Sequence, residues 1–212
     1  MREVRWYTIT GCIINWVGKL SVGGLTPEEK HKLLKLAREA LEMGVRGQSM
    51  TSLDLDSLPP TLREPGASFV TLTKNGQLRG CIGTLEAHLP LAEDVREHAV
   101  AAGLDDYRFP PVSPRELDEI EIDISRLTPP QPLEYTSPEE LLQALRPSID
   151  GVVLRDRFRR ATFLPQVWEQ LPEPESFLDH LCQKMGAPRD YWRCNPLRVE
   201  IYQVEEIHEE NK

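Results

Sequence analysis

Apolar residues recur at helical spacing from residue 33, where Leu33, Leu34, Ala37, Ala40 and Leu41 share one face and the run stops at Gly44. The start of this helix is marked by Thr26-Pro27-Glu28-Glu29, a capping box with proline at the first helical position. Ser113-Pro114-Arg115-Glu116 and Ser137-Pro138-Glu139-Glu140 repeat the device and predict two more helices. A fourth is expected over about Leu91 to Gly103, burying Val95, Ala99 and Ala102, and a fifth over about Ser176 to Met185, closed by Gly186 and Pro188. Strands follow a different period. Ile120, Ile122 and Ile124 alternate with Glu121, Asp123 and Ser125, which predicts a half-exposed strand. Val152-Val153-Leu154 and Ala161-Thr162-Phe163 read as a hairpin around Asp156 to Arg160, and a terminal strand is expected over about Leu197 to Val204. Helices mixed irregularly with hairpins predict a layered α+β fold, mostly antiparallel, with flanking helices. Pro129, Pro130 and Pro132 form a stiff link that admits a division into two lobes.

The hairpin at Lys74-Asn75-Gly76-Gln77 has the strongest signal, because Asn-Gly supplies the two positive-φ residues of a type I′ turn. Phe69 to Thr73 precedes it and Leu78-Arg79-Gly80-Cys81-Ile82-Gly83-Thr84 follows. Counting outward from a two-residue loop sets Leu72 opposite Arg79 and Val70 opposite Cys81. Arg79 and Cys81 then share a face roughly 7 Å apart. A guanidinium beside a thiol favours the thiolate, so Cys81 and Arg79 are the candidate catalytic pair. Gly80 and Gly83 leave room for another backbone or a ligand and are candidate substrate-binding positions. A structural reading stands beside this one: Cys81 as a small buried hydrophobe, the glycines as marks of a bulge.

Asp106 and Arg108 follow a helix end, and Phe109-Pro110-Pro111 after them forces an extended chain. The pair is a candidate substrate-binding site, Arg108 for a carboxylate or phosphate with Asp106 orienting its fork, or else a brace for the loop. Arg155-Asp156-Arg157-Phe158-Arg159-Arg160 places four arginines around an aromatic residue, a composition suited to nucleic acid or another anion, at what otherwise reads as a solvated hairpin tip. Thr162-Phe163-Leu164-Pro165-Gln166-Val167 ends a strand and reads as structural. The five histidines are scattered, with His88 the one that a folded-back loop would bring to Cys81 as a base.

Taken together these stretches resemble the AMMECR family, named after a chromosomal region deleted in a human syndrome. Gly66 to Thr84 is similar to its signature, Asp106 to Pro111 to its second motif, Ala161 to Val167 to its third, and Lys184-Met185-Gly186 to a weaker fourth. The likeness runs from Leu25 to Val204 in the family's order. It implies a widespread α+β domain without an assigned reaction, occurring alone or with a Memo-type and a radical-SAM-type protein as candidate partners.

Composition narrows the function classes. At 212 residues, 40% hydrophobic and 28% charged, the chain can bury a core as one large domain or two small ones. A net charge of -9 argues against general affinity for nucleic acid or anionic membranes. Four cysteines without C-x-x-C spacing suggest neither a disulfide framework nor structural zinc, so a cytoplasmic setting with no metal or cofactor is expected. Signatures of metalloproteases, P-loop NTPases, dinucleotide enzymes and α/β-hydrolases are missing. The apolar run within residues 1–24 is too short to span a bilayer and reads as an extension outside the domain. The domain itself is expected over 25–205 and a solvated acidic tail over 206–212, with Glu205 already belonging to that acidic end. Three functional expectations remain: a small enzyme or modification-system component using Cys81, a non-catalytic adaptor docking a partner protein, and, behind both because of the charge, nucleic-acid binding.

Overall fold

The computed structural model describes residues 24–209, so the expectation of a loosely packed extension before Leu25 lies outside the described residues. In chain order the elements are α1 (Pro27–Val45), α2 (Pro60–Arg63), β1 (Pro65–Lys74), β2 (Gln77–Gly83), β3 (Leu89–Pro90), α3 (Leu91–Leu104) and β4 (Ile120–Leu127). They continue with β5 (Gln131–Pro132), α4 (Pro138–Ala144), β6 (Gly151–Arg155), β7 (Arg160–Phe163), α5 (Pro174–Lys184), α6 (Tyr191–Cys194), β8 (Arg198–Tyr202) and β9 (Val204–His208). The fold is α+β with antiparallel pairing throughout. Two compact units form, one from residues 24–128 with 204–209 and the other, an insertion, from 129–203.

The first unit carries the sheet β2-β1-β4-β9, with β3 paired to the start of β1. One face of that sheet meets α1 and α3: Val70, Leu72, Ile122 and Ile124 bury against Leu33, Leu41, Val95 and Ala99. Alternation on β4 therefore did predict which residues face the core. Capping at Thr26 is complete, since its side chain accepts from the Glu29 N–H and Glu29 accepts from the Thr26 N–H. Helix α1 runs one residue past Gly44, whose missing Cβ makes room for Val100, and ends at Val45, with Gly47 beyond its cap at φ of +69°.

Three expectations need correction. Ser113 to Glu116 starts no α-helix but one 3₁₀ turn, Leu117–Glu119, because the β4 alternation begins at Ile120 and leaves no length for more. The expected terminal strand is two strands, β8 in the inserted unit and β9 in the first, separated at Gln203. The acidic end is not a solvated tail over its described part. Strand β9 pairs with β4, and Glu205 accepts from the Leu25 N–H and pairs with Lys30 and Arg126 at 2.9 and 3.1 Å. Glu206 accepts from Ser125, and Glu209 from Arg38.

The inserted unit holds the sheet β5-β8-β6-β7. Its core gathers Val152, Leu154, Phe163 and Val199 from the sheet with Leu141, Phe177, Leu181 and Trp192 from the helices. Trp168 stacks on Phe177 with centroids 3.7 Å apart, and its indole N–H donates to the Asp150 carbonyl at 2.7 Å.

Candidate functional site

Asn75 and Gly76 adopt φ of 51° and 71°, as the type I′ turn requires. Beyond the turn the register departs from the simple count. Thr73 faces Leu78, then Leu72 faces Gly80, so Arg79 is the extra residue of a bulge. Cys81 consequently stands opposite Thr71 rather than Val70, and Leu72 stands opposite Gly80 rather than Arg79. The cause lies in the core. A Cβ on Gly80 would sit 2.1 Å from the Ala102 carbonyl oxygen, so the glycine is the position at which β2 can rest on the end of α3. Gly83 is similarly enclosed, with the Ser68 carbonyl and Phe69 within 2.5 Å of a built Cβ. The room at both glycines is thus occupied by the protein's own chain.

Arg79 does not reach into open space either. Its Nε donates to Glu116 at 3.0 Å, and its side chain is only 12% exposed. Glu116 also accepts from the N–H and hydroxyl of Ser113, both at 2.9 Å. The Arg79 guanidinium, helped by Ser113, holds the Glu116 carboxyl at about 2, below its ordinary 4.5.

Cys81 and the second motif do come together. Strand β2 is the edge of its sheet. The Cys81 N–H donates to Asp106 Oδ2 at 2.9 Å, and the Cys81 carbonyl accepts from the Arg108 guanidinium at 3.2 Å. Asp106 in turn accepts from Arg108 through Nε at 2.8 Å and the terminal nitrogen at 2.6 Å. An acid and a base two residues apart therefore occupy the edge peptide groups of Cys81 as a neighbouring strand would. The Arg108 guanidinium lowers the Asp106 carboxyl from 3.8 to about 2, although the carboxylate is 3% exposed and burial opposes ionisation.

The Cys81 side chain is half-buried, and the Thr71 hydroxyl donates to its sulfur at 3.3 Å. Register extends this contact across the sheet: Cys81, Thr71, Asp123 and His208 stand opposite one another on β2, β1, β4 and β9. His208 Nδ1 lies 2.8 Å from Asp123 Oδ1. His88, the candidate base, faces Glu86 at 3.4 Å. Sequence reading missed Thr71, Glu116 and the Asp123–His208 pair. For Thr71 the available signal was the period-two rule, which fails by one residue once a bulge intervenes. A cavity of about 540 Å³ lies within the inserted unit, between the segments 132–138 and 192–199, and none of the residues around Cys81 lines it. Among the described residues no group of three or more His, Cys, Asp or Glu side chains is arranged to hold a metal ion, and no helix is long and apolar enough to cross a membrane.

Such a chain is of a recognisable class: an α+β protein in which a glycine-bearing hairpin presents a cysteine and a D-x-R loop closes over its strand edge. The family model described as AMMECR1 matches residues 34–207, and the chain belongs to that family. A protein of Methanothermobacter thermautotrophicus is 40% identical over 187 residues, covering 88% of this chain and 97% of its own. Protein MJ0810 of Methanocaldococcus jannaschii is 36% identical over 190 residues, covering 88% and 92%. In three dimensions the chain is similar to the crystal structure of Uncharacterized Protein PH0010 from Pyrococcus horikoshii, with a TM-score of 0.70 and 32% identity over 86% of this chain and 92% of that one.

Proposed function

We propose that this protein is a small enzyme, or the thiol-bearing component of a modifying system, in which Cys81 is the nucleophile or covalent carrier. One observation supports the reading above the others: the Cys81 thiol receives a hydrogen bond from Thr71 while both of its backbone polar groups are held by Asp106 and Arg108. A nucleophile gains from being fixed on a rigid strand by residues that are themselves fixed. Asp106 and Arg108 act here as positioning residues, and Arg79 belongs to the frame through Glu116. Gly80 and Gly83 contribute by letting the strand lie close to α3 and β1. The resemblance-based partners, a Memo-type or radical-SAM-type protein, fit as the source or recipient of the transferred group in a cytoplasmic setting.

Alkylation by iodoacetamide between pH 6 and 9, read residue by residue by mass spectrometry, tests the proposal. Cys182 is the internal reference, because it is buried in α5 and burial pushes its thiol up to about 11. Cys81 is expected to react at pH 7 well before Cys182. Reaction of Cys81 only on unfolding contradicts the nucleophile and favours the adaptor. That second reading has its own support in Tyr107 and Leu78, 68% and 46% exposed beside Arg108 and Arg79 in the chain.

A further inference from the structure

The arginine-rich run at residues 155–160 forms the β6–β7 hairpin, and the register gives it an order that its composition does not. Arg155 on β6 stands directly opposite Arg160 on β7 and directly opposite Arg198 on β8. Three guanidinium-bearing positions therefore line up across three adjacent strands at intervals of roughly 5 Å. Like charges placed directly opposite one another destabilise a sheet, and here the arrangement occurs twice. Glu200 is shared between two of them, 3.1 Å from Arg198 and 3.7 Å from Arg155. Even so, the Arg155 Nε–H is buried without an acceptor. Arg198 keeps 63% of its side chain exposed.

The turn beside the row is built differently. Asp156 accepts from the N–H groups of Phe158 and Arg159 at 2.8 and 2.7 Å, which closes the turn. Arg159 is taken by Asp156, by the Gly186 carbonyl and by the Tyr191 ring. Arg157 is exposed, and Phe158 is 93% exposed at the apex.

We propose that this edge of the inserted unit binds single-stranded nucleic acid, with the arginine row on successive phosphates and Phe158 stacked on a base. The ring decides between polyanions. A nucleotide carries a phosphate for the arginines and a π-face for the exposed phenyl ring in every unit, whereas an acidic peptide engages the ring only where it also carries an apolar side chain. The net charge of -9 argues against affinity spread over the whole surface, and the register concentrates cations at one place despite it. The proposal is independent of Cys81.

Fluorescence anisotropy of the full chain with a labelled twelve-nucleotide oligouridylate tests it. Binding is expected at low salt and should weaken about twentyfold from about 50 to 200 mM salt, as three phosphate contacts on a single strand require. Phe158→Ala should weaken binding about tenfold with the salt slope unchanged, and Phe158→Tyr should restore it. Arg198→Ala should lower the slope by about 0.7. Both positions are exposed, and an unchanged melting temperature will confirm folding. Absence of binding at about 100 µM protein in low salt overturns the proposal. Binding reduced by Arg198→Ala but untouched by Phe158→Ala marks a site for any polyanion and overturns the nucleic-acid assignment.

Discussion

The arginines beside Cys81 in the first unit and the arginine row on β7, β6 and β8 of the inserted unit are treated differently. In the first unit Arg79 and Arg108 are each held by a carboxylate, Glu116 (which Lys74 also approaches, at 3.7 Å) and Asp106, and each carboxylate is further satisfied by backbone N–H groups. In the inserted unit Arg155 and Arg198 divide one carboxylate between them, with a third arginine opposite Arg155. The first arrangement builds structure, because an ion pair satisfied on all sides holds its elements in one geometry. The second is the arrangement in which we propose an anion surface, with Arg198 63% exposed at its edge. The sequence left each case open, the R-x-C and D-x-R motifs between a ligand site and a structural role, and the arginine run between an anion contact and a solvated turn.

Breaking the carboxylates should show the contrast directly. Asp106→Ala leaves a mostly buried edge N–H and the Arg108 guanidinium without their acceptor, and should lower unfolding stability in urea by about 4 kcal/mol. Gly80→Ala drives a Cβ against the Ala102 carbonyl and should cost about 3 kcal/mol by the same measurement. Glu116→Ala, which strands the half-buried Arg79, should cost about 2 kcal/mol. Arg198→Ala in the inserted unit should stay within about 0.5 kcal/mol of the parent, since it also relieves like-charge crowding.

Acid sharpens the comparison. Asp106 and Glu116 titrate at about 2 in the folded chain against ordinary values of 3.8 and 4.5. The unfolded chain therefore binds more protons in that interval, so the stability these pairs contribute is complete above about pH 4.5 and is lost as pH falls toward 2. An Asp106→Asn, Glu116→Gln double variant should show a flatter stability profile between pH 4.5 and 2.5, followed by urea unfolding at each pH.

Local rules made a large part of this fold legible. Thr26 and Ser137 cap helices as their spacing predicts, Asn75-Gly76 makes the turn, and β4 alternates into the core. The misses have one kind of cause, which is long-range contact. The bulge at Arg79 exists because Gly80 must rest on α3, a contact 22 residues ahead in the chain (Gly80 to Ala102). Strand β9 reads as an acidic end until Lys30, Arg126 and Ser125 are brought to Glu205 and Glu206. At the site, the proximity of Cys81 to the Asp106 loop was not legible, because nothing in either motif says that one occupies the strand edge of the other. The choice between a bracing and an anion-binding role for Asp106 and Arg108 was open in the sequence, and their bonds to each other and to Cys81 support the positioning role we propose.

The proposed chemistry requires that neighbours prepare the Cys81 thiol, and Thr71→Val isolates that requirement because it keeps shape and removes the hydroxyl that donates to the sulfur. The rate of Cys81 alkylation at pH 7, measured for the parent and for Thr71→Val with the Cys182 rate as reference, is the most direct test. A severalfold slower reaction of Cys81 in the variant, with the Cys182 rate and the melting temperature unchanged, is the predicted result. Equal Cys81 rates in the two proteins would contradict it.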